Sequence, residues 1–217
     1  MIRYTSRHGR FAVAILAVIA ALAVAGCGGN NDTSGSASSG GNSIDRAFAS
    51  EMVPHHQSAV AMAKIAREQT RRTEVKTLAG DIIRTQNTEI ATFRQLDGGL
   101  AKASVNKGNL GLSEAMMGMS MDDTMLMNAK PFDREFIDMM VPHHQGAIRM
   151  ARVELAKGKN AKLKQIAEDV VLAQSREITQ MNDWRMNWYG AASPAGGVPR
   201  ADETAEGGSM NGMSGHG

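Results

Sequence analysis

One motif occurs twice in this chain and decides its fold. It reads DRAFASEMVPHHQSAVAMA at residues 45–63 and DREFIDMMVPHHQGAIRMA at residues 133–151, an offset of 88 residues. The same offset aligns residues 78–90 with residues 166–178 without a gap, so each motif is followed by a second matching segment. Self-similarity at one fixed period indicates duplication of a two-element unit.

Both elements of each unit have the periodicity of an amphipathic helix. Side chains suited to a buried face recur every three or four residues in the first unit, at Phe48, Met52, His55, Ala59, Met62 and Ala66, and then at Val75, Leu78, Ile82, Gln86 and Phe93. One amphipathic hairpin cannot bury its own apolar face, so two hairpins must pack together. The sequence therefore predicts an all-α fold, an antiparallel four-helix bundle built from two duplicated helical hairpins.

Small polar residues and glycines near the ends of these elements predict where the helices start and stop. Glycine favours C-terminal helix ends, whereas Asn and Asp favour the position just before the first turn. The candidates are Gly98–Gly99, Gly158 and Gly190 as C-terminal caps, and Asn160, Asp45 and Asp133 as N-terminal caps. The two aspartates could instead help to orient imidazole rings.

Pro54 and Pro142 directly precede the two His-His pairs. A proline inside a helix removes a backbone hydrogen bond and costs about 3 kcal/mol, whereas a proline in the first turn is tolerated. The unbroken periodicity from Phe48 onward favours a position inside the helix, with a kink just before the histidines. The alternative is that each proline lies in the first turn of a helix.

The charge balance limits the partners of the chain. Its 217 residues include 24 basic and 22 acidic side chains, and three of the basic ones, Arg3, Arg7 and Arg10, lie in a segment that we expect to be removed. The remaining protein would be close to neutral, which argues against a nucleic-acid partner because such a partner usually demands a basic face. Aromatic residues make up only 4% of the chain, which favours helices over strands.

The first 26 residues have the pattern of a lipoprotein signal peptide. An apolar run at residues 11–25, short for a spanning helix, ends in Val-Ala-Gly-Cys at residues 24–27, which is similar to a bacterial lipobox. Cys27 is the only cysteine and has no disulfide partner, so lipidation is favoured over an ordinary secretory signal with a chance cysteine. We predict lipidation at Cys27 and a flexible Gly/Ser tether at residues 27–43. The protein would then be exported and lipid-anchored to a membrane, outside the cytoplasmic membrane or in the periplasm or outer membrane.

The duplicated region is predicted to span residues 44–189. Its first repeat covers residues 44–97 and its second residues 131–189, with a Met-rich linker at residues 98–130 and a Met/His-containing tail at residues 190–217. We expect the linker and the tail to be poorly ordered. Their methionines suggest flexible arms that capture a soft ion, and the alternative is disordered segments of accidental composition.

The His-His pairs carry the functional signal. On an ideal helix, His55 and His56 lie on the two shoulders of the inward face, and Met52 lies one turn before them. Adjacent side chains diverge too far to hold one ion easily, so each histidine is expected to find further ligands on another helix. The alternative is inert, hydrogen-bonded core histidines, but four buried imidazoles would each need a partner to offset desolvation.

Pairing of the two repeats would bring imidazole nitrogens and thioether sulfurs together. Thioethers select Cu(I) and Ag(I), while imidazole also accepts Zn, Fe and Ni, so Cu(I) is favoured and another transition metal is possible. The candidate metal ligands are His55, His56, His143, His144, Met52, Met140, Met62 and Met150. Four polar residues on the second helices either orient the imidazoles or are surface side chains: Gln86, Glu89, Gln174 and Glu177.

The doubled motif resembles domain-of-unknown-function family 305. The resemblance covers about residues 43–189 and is carried by the Met-Val-Pro-His-His-Gln elements, by the Gln-x-x-Glu-Ile elements at residues 86–90 and 174–178, and by Trp184. It implies a ferritin-like helical bundle, and some members are described as extracytoplasmic copper-binding proteins. The first copy has Leu96 in place of the terminal Trp, so the two halves need not bind alike.

These patterns favour a binding protein that sequesters or passes on Cu(I) at the cell envelope. One alternative is an enzyme, a ferritin-like metal-dependent oxidoreductase, which for a di-iron centre needs more inward carboxylates than the sequence places. Another alternative is a metal-free interaction module of the envelope. The sequence leaves open the metal stoichiometry, the oligomeric state, the protein partners and which histidine of each pair is the ligand.

Overall fold

A computed structural model describes residues 40–119 and 123–201 of the chain. The described part contains five helices and no strand: α1 (Ser43–Gln69), α2 (Thr73–Lys102), α3 (Asp123–Met127), α4 (Phe132–Lys157) and α5 (Ala161–Tyr189). The predicted all-α class is therefore confirmed. The predicted signal peptide, Cys27 and the end of the tail lie outside the described residues. None of the helices described here has the length and apolar character needed to cross a membrane.

The four long helices form two hairpins. Each hairpin packs along its length, α1 against α2 and α4 against α5, and the hairpins meet through α1 and α4. In one apolar cluster the C-terminal part of α1 packs with the N-terminal part of α4, for example Met62 with Met140. In a second cluster Phe48 and Met52 of α1 pack with Met150 of α4. Because opposite ends of the two helices meet, α1 and α4 run antiparallel.

Each repeat also contacts the turn of the other hairpin. The Asp45 carboxylate accepts hydrogen bonds from the backbone N–H groups of Lys159 and Asn160 in the turn between α4 and α5. Its counterpart Asp133 accepts a hydrogen bond from the Thr70 hydroxyl and pairs with Arg72 at 3.3 Å, in the turn between α1 and α2. Equivalent aspartates therefore join each hairpin to the turn of the other, although the groups that bond to them differ.

The structure corrects part of the predicted helix ends. The N-terminal cap of α1 is Asn42, and Asp45 lies three residues later as its capping-box partner, so the prediction of Asp45 as the cap was wrong. Pro131 occupies the cap position of α4, which places Asp133 inside the first turn. Gly158, Gly190 and Asn160 cap the helices as predicted.

Helix α2 continues through Gly98–Gly99, where a C-terminal cap was predicted, and ends at Lys102. The reason is Leu100, which is 3% exposed and packs in the second apolar cluster. Burial of this leucine offsets the low helix propensity of the two glycines. The helical part of the first repeat therefore runs beyond the predicted boundary at residue 97.

Both prolines lie well inside their helices, Pro54 in α1 and Pro142 in α4. The predicted position inside the helix is therefore confirmed over a first-turn position. Parts of the linker and of the tail are ordered, contrary to expectation. Residues 114–118 form turns against α4, and the linker also contains the short helix α3. The start of the tail packs on α4, where the Gln145 amide donates to the carbonyl of Ala195.

Candidate metal centre

Two histidines from different repeats face each other between α1 and α4. The ring centroids of His55 and His143 are 3.9 Å apart, and the residues are 1% and 2% exposed. Within each pair the rings diverge, and the ring centroids of His55 and His56 are 6.2 Å apart. As expected for adjacent residues on a helix, each histidine finds its neighbours on another helix.

The outer histidine of each pair is held by a glutamate of the second helix of its own hairpin. Nε2–H of His56 donates to Oε2 of Glu89 at 2.7 Å, and that of His144 donates to Oε2 of Glu177 at 2.6 Å. The glutamates therefore orient the imidazoles, one of the two roles that the sequence left open. The neighbouring Gln86 and Gln174 are buried but make no hydrogen bond to an imidazole in the described part of the chain.

The linker supplies the hydrogen-bond partner of His55. Nε2–H of His55 donates to the backbone carbonyl of Met117 at 2.8 Å. In His55, His56 and His144, Nδ1 is buried and has no hydrogen-bond partner among the described residues. In His143, neither nitrogen has one. With Nε2 carrying the proton, the lone pair of a neutral ring lies on Nδ1. Unpaired buried nitrogens are rare in folded proteins and call for an explanation such as a ligand.

Burial keeps the central pair uncharged. Desolvation, helped by the neighbouring His56, lowers the pKa of His55 to about 3. Desolvation and the neighbouring His55 likewise hold the pKa of His143 well below its ordinary value. Both rings are therefore neutral near pH 7, the state in which an imidazole can bind a metal ion.

The four candidate methionines are divided between the two apolar clusters. Met52 and Met150 belong to the second apolar cluster, whereas Met62 and Met140 belong to the first, and all four are at most 1% exposed. The described residues contain no group of three His, Cys, Asp or Glu side chains that could hold a metal ion without help. A metal centre at the histidine pair therefore needs thioether sulfur as an additional donor.

The approach of the linker to this centre was not predicted from the sequence. Gly118 has φ of +71° and packs on the backbone of Pro142 and His143, and a Cβ at Gly146 would clash with the carbonyl of Met117. The first repeat has Ser58 in the position of Gly146. This difference between the copies was the available signal, because the missing side chain at Gly146 lets Met117 lie directly against the second repeat.

We expect Gly146→Ala to lower the free energy of unfolding by about 1–3 kcal/mol, since the new methyl group must displace the backbone at Met117. The matched control is Ser58→Ala, at the half-buried equivalent position, which should change stability by less than about 0.5 kcal/mol. Urea denaturation followed by far-UV circular dichroism measures both variants. Equal effects of the two substitutions would contradict the asymmetric packing of the linker.

Fold and site together define a class of all-helical proteins in which two equivalent hairpins bury paired histidines in the core, with methionines in the two apolar clusters. The chain belongs to the family described as domain of unknown function, DUF305. The family model matches residues 45–185 and, separately, residues 133–216, and the second match begins at the first residue of the second motif.

Several solved structures are similar to this chain. CopM in its Cu(I)-bound form is 36% identical, with a TM-score of 0.57 over 67% of this chain and 98% of CopM. A DUF305 protein from Streptomyces coelicolor is 29% identical, with a TM-score of 0.60 over 70% of this chain and 96% of that protein. An uncharacterized protein, L153 of Acanthamoeba polyphaga mimivirus, is 36% identical over 50 residues, which span 23% of this chain and only 33% of the relative.

Proposed function

We propose that this protein binds a soft metal ion, Cu(I) first, in the histidine layer between α1 and α4. The observation that carries the proposal is the set of buried imidazole nitrogens without hydrogen-bond partners in the described residues, two of them on His143. A metal ion would use the lone pairs that the fold leaves unpaired. His55 and His143 are the central ligands in this proposal.

The surrounding residues fit a soft ion. Neutral imidazoles combined with thioethers suit Cu(I) and Ag(I), and the glutamates behind His56 and His144 set the ring orientation as carboxylates commonly do behind metal-binding histidines. The thioether donors proposed here come from four buried methionines: Met52, Met62, Met140 and Met150. The similarity to CopM supports the same ion class, because CopM has been crystallised in Cu(I)-, Cu(II)- and Ag-bound forms.

The overall arrangement in this proposal is a ferritin-like antiparallel four-helix bundle made of α1, α2, α4 and α5. The protein would act outside the cytoplasm, sequestering or passing on copper at the cell envelope while lipidated Cys27 holds it to a membrane. The motif at residues 24–27 supports the anchor. The methionines of the linker would deliver the ion, which is supported by the position of Met117 next to His55.

The test is a titration of the purified protein with Cu(I), Ag(I), Zn(II) and Fe(II) against chelators of known affinity. We expect Cu(I) and Ag(I) to be withdrawn from the chelator and Zn(II) and Fe(II) to be held much more weakly, since thioethers favour soft ions over these borderline divalent ones. A protein that takes up none of the four ions, or that prefers Fe(II), would contradict the proposal.

A further inference from the structure

A second group of polar side chains lines a cleft between α2 and α5, on the far side of the outer histidines. The cleft has a volume of about 120 Å³ and is lined by residues that include Glu89, Glu177, Asp169, Gln86 and Gln174. Four of these five are two pairs of equivalent residues from the two repeats. The duplication therefore builds the cleft from both halves of the chain.

The cleft is acidic. Three of its lining side chains are carboxylates, and no lysine or arginine is among the described residues that line it. The three carboxylates do not by themselves form a group that could hold an ion, so a cation here also needs amide oxygens and water. The Glu89 and Glu177 side chains are 29% and 21% exposed, so they are reachable from solvent while one oxygen of each accepts the hydrogen bond from a histidine. The concentration of negative charge in a concave site favours a cation.

An independent observation in the same cleft points to a ligand. Gln86 and Gln174 line it while being only 4% and 3% exposed, and Oε1 of each amide is buried without a hydrogen-bond partner among the described residues. A buried amide oxygen that is left unpaired costs free energy. Amide oxygens together with carboxylates are the donors that hard divalent cations take, and small divalent cations keep bound waters to complete their shell.

We propose that this cleft is a separate binding site for a hydrated divalent cation with a preference for oxygen ligands. Glu89 and Glu177 supply the charge, Gln86 and Gln174 supply neutral oxygens, and water completes the coordination. The site differs from the histidine layer in its donor atoms and therefore in the ions that it selects. The glutamates link the two sites, because Glu89 and Glu177 line the cleft and also accept the hydrogen bonds from His56 and His144.

Mn(II) is a suitable probe because it prefers oxygen ligands and its free form gives a strong electron paramagnetic resonance signal. Titration of the purified protein should show saturable loss of that signal. Glu89→Gln/Glu177→Gln should weaken Mn(II) binding at least about tenfold, since two charged ligands are lost. Gln86→Leu/Gln174→Leu, which leaves the Glu–His hydrogen bonds in place, should weaken it about threefold or more.

The matched control is Asp81→Asn on α2. Asp81 is the counterpart of Asp169 in the first repeat, but it pairs with Arg84 and does not line the cleft. We expect this variant to bind Mn(II) like the wild type. Absence of saturable Mn(II) binding by the wild type, or the same loss in Asp81→Asn as in the glutamate variant, would overturn the proposal.

Ag(I) binding by the Gln86→Leu/Gln174→Leu variant separates this site from the histidine layer. Retained Ag(I) binding with weakened Mn(II) binding supports an independent oxygen site in a folded protein. Saturable Mn(II) binding by a wild-type protein that takes up no Ag(I) would support the cleft and count against the proposed copper function alone. A wild-type protein that takes up Ag(I) but shows no saturable Mn(II) binding would support the copper function and overturn the cleft site.

Discussion

Replacement of both central histidines, His55→Ala/His143→Ala, should weaken Ag(I) binding by more than about 100-fold. Loss of a residue that only supports a metal ligand already costs about 10- to 100-fold in affinity, and here two ligands are removed. The rings of His55 and His143 are in contact and neutral, and each has a buried nitrogen without a hydrogen-bond partner among the described residues. Competition titration with Ag(I), which avoids the redox chemistry of copper, measures the effect.

The outer pair provides the comparison. His56→Ala/His144→Ala should weaken Ag(I) binding less, about tenfold, because these rings lie 6.2 and 6.3 Å from the central rings, on the side of α2 and α5. His55→Gln/His143→Gln repeats the central test with polar side chains, and circular dichroism shows whether each variant folds. If neither double variant changes Ag(I) affinity, the histidine layer is not the metal site.

Repeat symmetry explains why so much of the fold was predictable. The 88-residue offset requires both halves to form the same helices, and the periodicity of Phe48, Met52 and Ala59 places the buried face. The structure has this face buried, with Phe48, Met52 and Ala59 fully inaccessible to solvent. Helix ends were less predictable because a tertiary contact can outweigh local propensity, as Leu100 does after Gly98–Gly99.

The inner arrangement of the site could not be predicted from the sequence. Periodicity puts His55 and His56 on opposite shoulders of one face, and only the rotation of α1 against α4 decides that His55, rather than His56, meets the other repeat. The contact between Met117 and His55 joins residues 62 positions apart and follows no periodic pattern. Sequence reasoning therefore placed the four histidines on the buried face but could not tell which of them meet across the repeats.

Glu154 is a buried carboxyl group that the sequence analysis missed, in part because the equivalent residue of the first repeat is Ala66. Asp45 and Glu154 are both fully buried and lie together where the start of α1 meets the end of α4. Burial would raise the pKa of Asp45, but the neighbouring Glu154 and hydrogen bonds from the backbone N–H groups of Asn42, Asn160 and Lys159 outweigh it and leave that pKa lowered. Burial, together with the Asp45 carboxylate beside it and the charge of that carboxylate, raises the pKa of Glu154 to about 8.

The raised pKa of Glu154 predicts a free energy of unfolding that falls as the pH rises. Between pH 4.5, the ordinary pKa of a glutamate, and about pH 8, the folded protein keeps a proton on Glu154 that the unfolded chain has released. Protons bound preferentially by the folded state make the free energy of unfolding decrease with pH, by at most about 1.4 kcal/mol per pH unit from this group. Its contribution is complete below pH 4.5 and lost by about pH 8.

Glu154→Gln should remove this dependence, because an amide resembles the protonated carboxyl group and does not titrate. We expect the variant and the wild type to be similar in stability near pH 5, and the variant to be more stable at pH 8 by on the order of 3 kcal/mol. Urea denaturation at several pH values measures the difference, and Glu74→Gln, at an exposed site in the first turn of α2, should follow the wild type. A difference between Glu154→Gln and wild type that is the same at pH 5 and pH 8 would show that Glu154 does not hold the proton, since only a titrating group makes the difference depend on pH.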